Sequence, residues 1–272
     1  MHAASRAALA QVESHLDSAL SGADNAVAVA AQVGTELFDV VEILDGDRGL
    51  RVAVADASAS ADLRTGLVSD LFGGKVSDAT LEVLKDAVSQ HWSTPRELRT
   101  GLVELGRRSL LRSAEQQGQL GQVEDELFRL GRILDKEPSL TQLLSDESAE
   151  PTARRGLLAS VLYGKVTMIT EALALQVIGR PEHNPIDDLA HLAGTAAELQ
   201  DRTVAHVVAA SDLNEGQQAK LADKLGRIYG RAMSIHSEVD PSLLGGMTIR
   251  VEDELIDGST TGKLARLRSS LV

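Results

Sequence analysis

The sequence predicts a mainly α-helical protein that ends in a small α+β domain. The expected order is two tandem helical bundles, sharing or joined by one helix, followed by a β-α-β-β-α module. Three observations carry this. The chain repeats itself at an offset of ninety residues, without a gap. Its apolar residues recur at steps of three and four over the first two hundred positions. Beyond about residue 201 they alternate instead. Of the 45 positions from 32 to 76, 18 are identical ninety residues later. A composition of this kind gives about 3 or 4 by chance. A duplicated helical module usually duplicates a binding surface and seldom an active site.

Taken in order, the first helix is expected over Ser5–Leu20 and the second over residues 24–45. In the second helix Ala30, Val33, Leu37, Val40 and Leu44 share one face. Their counterparts Leu120, Val123, Leu127, Leu130 and Leu134 repeat that stripe with larger side chains. Further helices are expected around Leu63–Phe72 and Leu81–Val88, and again around Leu157–Leu162 and Leu173–Ile178. Gly73-Gly74 and Gly164 stop them at equivalent places. The repeated Gly74-Lys75 and Gly164-Lys165 read as such stops, each with a cation offered to the preceding helix end. Thr94-Pro95-Arg96-Glu97 and Asn184-Pro185-Ile186-Asp187 each pair a capping side chain with proline at the first helical position. The helix from Pro95 to about Gln117 ends one copy and, by position, opens the next. Residues 1–94 are therefore expected to form the first bundle, 95–201 the second, and 202–272 the α+β domain.

In that last domain, Thr203–Ala210 suits a strand. Asn214-Glu215-Gly216-Gln217 suits a capping box for a helix with Leu221, Leu225 and Ile228 inward. Met233, Ile235 and Val239 alternate, as do Met247, Ile249 and Val251. Glu252-Asp253 reads as a turn before Leu255-Ile256. Ser259 is placed to cap a final helix with Leu264, Leu267 and Leu271 inward and Lys263, Arg266 and Arg268 outward.

Composition narrows the function. The formal charge is −13, which disfavours nucleic acid and anionic lipid surfaces. There is no cysteine, hence no disulfide or thiolate metal site. The N-terminus carries no signal-type apolar stretch, and the most apolar runs fall far short of the roughly 20 residues that span a bilayer. The seven histidines (2, 15, 91, 183, 191, 206 and 236) are scattered without metal-ligand spacing and read as surface or core-edge residues. Asp45-Gly46-Asp47 lacks the further ligands of a calcium loop and reads as a helix-ending turn. Gly258-Ser259-Thr260-Thr261-Gly262-Lys263 is one residue short of a phosphate loop, and Leu264 stands where a magnesium-binding hydroxyl belongs. No cofactor and no catalytic constellation is expected.

The run Leu244-Gly245-Gly246-Met247-Thr248-Ile249-Arg250, continuing through Asp253 to Ile256-Asp257-Gly258-Ser259 and then Lys263-Leu264-Ala265-Arg266-Leu267, closely resembles the C-terminal signature of the delta subunits of rotary ATP synthases. Their mitochondrial relative is the oligomycin-sensitivity-conferring protein. The resemblance covers about residues 108–271. One departure is Glu252, where the family usually has glycine before the hairpin aspartate. The resemblance implies a six-helix bundle that holds the N-terminal segments of the alpha subunits. It also implies a C-terminal domain that grips the C-terminal helices of the peripheral-stalk b subunit. It further implies a non-catalytic stator, peripheral on the cytoplasmic face of the membrane and held there only through partner subunits. Copy one exceeds the usual family length, and its duplication resembles the actinobacterial form. That copy is expected either to stiffen the junction or to offer a second docking site. The alternative reading is a helical scaffold of another complex that shares only the architecture.

Overall fold

The computed structural model describes residues 1–146 and 148–264. The chain divides into two compact units, Met1–Val123 with Ala149–Arg180, and Glu124–Ser148 with the chain from Pro181 onward. Helices α1 (Ala3–Ser21), α2 (Ala26–Gly46), α3 (Arg48–Val54), α4 (Ala61–Phe72), α5 (Asp78–Ser89) and α6 (Pro95–Gln116) come first. They are followed by α7 (Leu120–Lys136), α8 (Pro138–Leu144), α9 (Pro151–Leu162), α10 (Met168–Gly179) and α11 (Pro185–Glu198). The ninety-residue repeat is kept to the residue in three of these: α3, α4 and α5 reappear as α8, α9 and α10 with both ends displaced by the same interval. The expected stripes are buried in both copies, on α2 and on α7.

The first unit holds α1–α6, the first turn of α7, and α9–α10. Its helix starts follow the punctuation of the sequence. Asp47, Ser60, Ser77 and Thr94 each accept a hydrogen bond from the backbone N–H three residues on. Gly74 and Gly164 take left-handed φ of 70° and 66° after α4 and α9, a conformation glycine adopts without a Cβ penalty. Two carboxylates leave their own helices to cap others. Glu97 accepts from the His2 backbone and the Ser5 hydroxyl at the start of α1. Glu36 accepts from the Ser77 backbone at 2.9 Å and from the Ser77 and Thr80 hydroxyls at the start of α5. Burial alone would raise the Glu36 pKa, but these donors outweigh it and hold the carboxyl below its ordinary value.

The spine of this unit is α6, which packs on α1, α2, α3 and α5 and also on α10. It therefore touches helices of both repeats. A Cβ on Gly34 of α2 would lie 2.9 Å from the Gly106 carbonyl and 2.7 Å from Leu110, and one on Gly106 would lie 2.6 Å from Phe38. The two backbones can approach this closely only because neither position carries a side chain. The buried positions of α6, from Leu98 to Ala114, cover about three-quarters of its circumference at ~100° per residue. The remaining arc carries Glu104, Arg108, Arg112 and Glu115.

From that arc, Arg108 and Arg112 both reach Asp17 of α1, each through a 2.6 Å contact to Oδ2. Burial would raise the Asp17 pKa, but the hydrogen bonds from Arg112 and Arg108 more than offset it, so the carboxyl stays below its ordinary value. A depressed carboxyl pKa contributes stability that is fully present above the unfolded value and is lost as pH falls through the folded one. The urea midpoint of the native chain should therefore fall more steeply than that of Asp17→Asn as pH drops below the ordinary aspartate value of 3.8. Parallel profiles between pH values of about 6 and about 2.5 would show that the arginines add nothing.

The second unit carries the rest of α7, then α8 and α11, and a four-stranded sheet. Its strands are β1 (Arg202–Ala209), β2 (Ala232–Val239), β3 (Met247–Val251) and β4 (Glu254–Asp257), in the order β2-β1-β3-β4. β1 runs parallel to β2 through the crossover helix α12 (Glu215–Tyr229), and β1/β3 and β3/β4 are antiparallel. The capping box at Asn214 and Gln217 forms in both directions. The fourth strand is the return arm of the hairpin expected at Glu252-Asp253, and helical structure resumes at Thr260. Glu252 takes φ 52° in a two-residue loop, a conformation that glycine adopts without a Cβ penalty, and pairs with Arg231 at 3.1 Å.

Alternation splits the sheet. Ala205, Val207, Met233, Ile249 and Val251 pack with Leu225 of α12. Two side chains expected inward are exposed. Ile228 lies outside, at the edge of the packed face of α12, which runs through Leu221, Ala222, Leu225 and Tyr229. Leu264 is also exposed. Val239 stays exposed at the end of β2. Leu267, with Ala265, Arg266, Arg268 and Leu271, lies outside the described residues.

Candidate partner-binding surfaces

The C-terminal signature residues are brought together by backbone chemistry. Gly245 accepts from the Thr260 N–H at 2.8 Å, and the Gly258 N–H donates to the Met247 carbonyl at 3.0 Å. Gly246 has φ 77°, and a Cβ there would run into the Gly258 carbonyl oxygen. The Gly-Gly loop thus lies directly against the Asp-Gly-Ser turn. Asp257 accepts from the Ser259 N–H at 2.9 Å and hydroxyl at 2.7 Å, and Ser259 in turn accepts from the Gly262 N–H at 2.9 Å, capping the final helix. The Asp257 carboxylate also lies against Gly262, where a Cβ would collide with it.

Of the other signature positions, Ile249 is buried against α12 and pairs across the hairpin with the half-buried Ile256. Asp253 and Lys263 are exposed. Leu244, Lys263 and Leu264 face outward beside these turns.

On the opposite face of the sheet lies a cluster that the sequence did not announce. Glu124 of α7 is buried, and its Oε1 accepts from the Ser234 hydroxyl and lies 2.8 Å from Nε2 of His236. Its Oε2 accepts from Gln200 at 3.2 Å. Phe128, one turn along α7, stacks on the His236 ring with centroids 4.2 Å apart. His236 is thus a core residue, not the surface or core-edge histidine expected. Its neighbour across the strands, His206, is exposed, and partial desolvation of its ring, with the nearby His236 and Arg250, lowers its pKa. The one available signal was the asymmetry of the repeat. Glu124 sits on the buried stripe where copy one has Gly34.

The first unit carries an open cleft of about 450 Å³ between α1 and α5, floored by Val12, Leu16, Val33 and Val83. Along one wall run Asp78, Glu82 and Asp86, spaced four residues apart on α5 and so facing one way. His15 of α1 meets Asp86 at 2.8 Å across one end. Among the described residues no group of three or more metal-ligating side chains converges, and no helix is long and apolar enough to cross a membrane.

Comparison with known proteins fits this picture. The pattern of the ATP synthase delta (OSCP) subunit matches residues 108–271. ATP synthase subunit delta of Corynebacterium efficiens is 76% identical over 270 residues, covering 99% of this chain and 98% of that protein. The Corynebacterium glutamicum (strain R) protein of the same name is 75% identical, covering 99% of each chain. That of Corynebacterium diphtheriae is 69% identical over the full length of both. A chain of the Toxoplasma gondii mitochondrial ATP synthase hexamer overlays with a TM-score of 0.38 at 17% identity, over 61% of this chain and 94% of that one, too loosely to bear on fold or function. On the strength of the full-length identities and the matched pattern, the chain belongs to the ATP synthase delta (OSCP) subunit family.

Proposed function

We propose that the chain is a non-catalytic stator subunit that ties the catalytic head of the proton-translocating ATP synthase to its peripheral stalk. The helical part receives N-terminal segments of the alpha subunits, and the C-terminal α+β part receives the C-terminal helices of the stalk b subunit. The chain is held at the cytoplasmic face of the membrane only through those partners. The domain division that goes with this role is 1–94, 95–201 and 202–272.

The observation that supports it best is full-length identity to subunit delta proteins combined with the C-terminal signature. Such a linker needs separate docking surfaces and no chemistry of its own. Amphipathic helices lying in helical grooves are the recognition mode that fits. The exposed Leu244 and Leu264 offer apolar surface beside the signature turn for the stalk.

The test uses the whole chain against two immobilised partners, the N-terminal segment of the alpha subunit and the C-terminal helix of the b subunit. Both should be bound, and deletion of residues 202–272 should abolish only the second interaction. Absence of binding to either partner, or retention of the stalk by the truncated chain, would overturn the assignment.

A further inference from the structure

The C-terminal unit carries a cationic cleft that the stator role leaves unused. It lies between α11 and the end of the sheet where β1 begins, and has a volume of about 450 Å³. Arg202 and His206 share one face of β1, and Arg250 of β3 stands directly across from His206. Arg231, just before β2, and Glu252, in the hairpin loop, complete this wall, and Gly194 and Glu198 of α11 line the other. The space at Gly194 is open, with nothing within 4 Å of where a Cβ would stand.

The chain as a whole is acidic, at a formal charge of −13, yet this lining sets three arginines against two glutamates. Arg231 and Glu252 pair at 3.1 Å and offset each other. Among the described residues neither Arg202 nor Arg250 is held in an ion pair, and neither is Glu198. The positive field reaches His206, whose pKa is lowered first by desolvation and then by His236 and Arg250. Its ring is therefore largely neutral near neutral pH and keeps one N–H to donate. What the cleft offers is two free guanidinium forks, one imidazole donor and one free carboxylate.

We propose that this cleft binds inorganic phosphate. Arg202 and Arg250 donate to its oxygens, His206 donates a ring N–H, and Glu198 accepts from the oxygen that keeps its proton. Guanidinium forks match the spacing of oxyanion oxygens, and a concave site with unpaired cations concentrates anions from solution. Glu198 sets the selectivity. A carboxylate repels an oxyanion with no proton to give, such as sulfate, but accepts a hydrogen bond from phosphate, which retains an O–H at neutral pH. The site is independent of the stator assignment and neither needs nor tests it.

The experiment is isothermal titration of potassium phosphate into the full-length chain at neutral pH, with ionic strength held constant by potassium chloride. The native chain should bind with a Kd of about 1 mM or tighter. Arg202→Gln and Arg250→Gln should each weaken binding by about tenfold or more, the loss of charge-assisted hydrogen bonds. Arg48→Gln, at an exposed arginine of α3 that lines neither this cleft nor that between α1 and α5, should leave it within about twofold. Sulfate should bind the native chain about tenfold more weakly than phosphate, and Glu198→Gln should narrow that gap. All four positions are exposed, so the variants should keep the native fold, which far-ultraviolet circular dichroism checks. No phosphate binding by the native chain, an equal loss in Arg48→Gln, or sulfate bound as tightly as phosphate would overturn the proposal.

Discussion

Replacing Glu124 by alanine lowers the stability of the C-terminal unit by about 3–5 kcal/mol, the cost of leaving buried polar partners without their counter-group. Ser234, His236 and Gln200 all direct hydrogen bonds to this one carboxylate, and the His236 ring is held from the other side by Phe128. Truncation removes the acceptor, opens a cavity on the buried stripe of α7 and strands an imidazole in the core. Unmet hydrogen-bonding demand, and not the strength of a single bond, sets this cost. Glu124→Leu combined with Ser234→Ala and His236→Phe removes donors and acceptor together and should recover most of the loss, because an apolar set of similar volume carries no desolvation penalty. Urea unfolding followed by far-ultraviolet circular dichroism measures both variants. A triple variant as unstable as Glu124→Ala would mean that shape, and not hydrogen bonding, governs the site.

The second large effect is expected at Arg64. Its guanidinium is buried in copy one and donates to five backbone carbonyls, those of Asp56 and Ala59 before α4 and of Val88, Ser89 and Gln90 at the end of α5. The last three belong to a helix end whose carbonyls have no partner within the helix. Arg64→Met keeps most of the side-chain volume and removes every donor. The expected loss is about 3–4 kcal/mol, several charge-assisted hydrogen bonds discounted for their lack of additivity. Trp92, the only tryptophan, is buried beside this site and donates to the Ala87 carbonyl at 2.7 Å, so its fluorescence in urea reports the transition directly. The repeat supplies a control. Arg154 occupies the equivalent place in copy two, yet its Nε and Nη1 have no partner among the described residues. Arg154→Met should cost about half as much or less. Equal losses would show that burial of the stem dominates.

What the sequence revealed, and what it hid, divides by range. Features set within a few residues were legible: the caps at Thr94, Asn184 and Asn214, the glycine stops at positions 74 and 164, and the Ser259 cap. So were the stripes on α2 and α7, because helical spacing alone decides which positions share a face. Ile228 was misassigned because apolar spacing defines a stripe only to within a turn, and packing against the sheet selects the edge that is buried. The Glu124–His236 pair spans 112 residues, and Arg64 reaches 26 residues ahead to Gln90. Such partners meet only once the helices have been placed, and no periodicity encodes them.

The packing of α6 on helices of both repeats raises the question of what stops the array. One period spans five helices and borrows its sixth from the next, so two periods account for the eleven helices before the sheet as five plus five plus one, among the described residues. Such an array has no internal reason to end, because each borrowed helix presents a face that invites another copy. At the end of α11 the chain turns instead into β1, at the point where a third copy would begin its second helix, and β1 packs on α11. The sheet is therefore the terminator of the array as well as a module in its own right. Removing it would leave α11 as an unfinished edge, open to association with other molecules of the same chain.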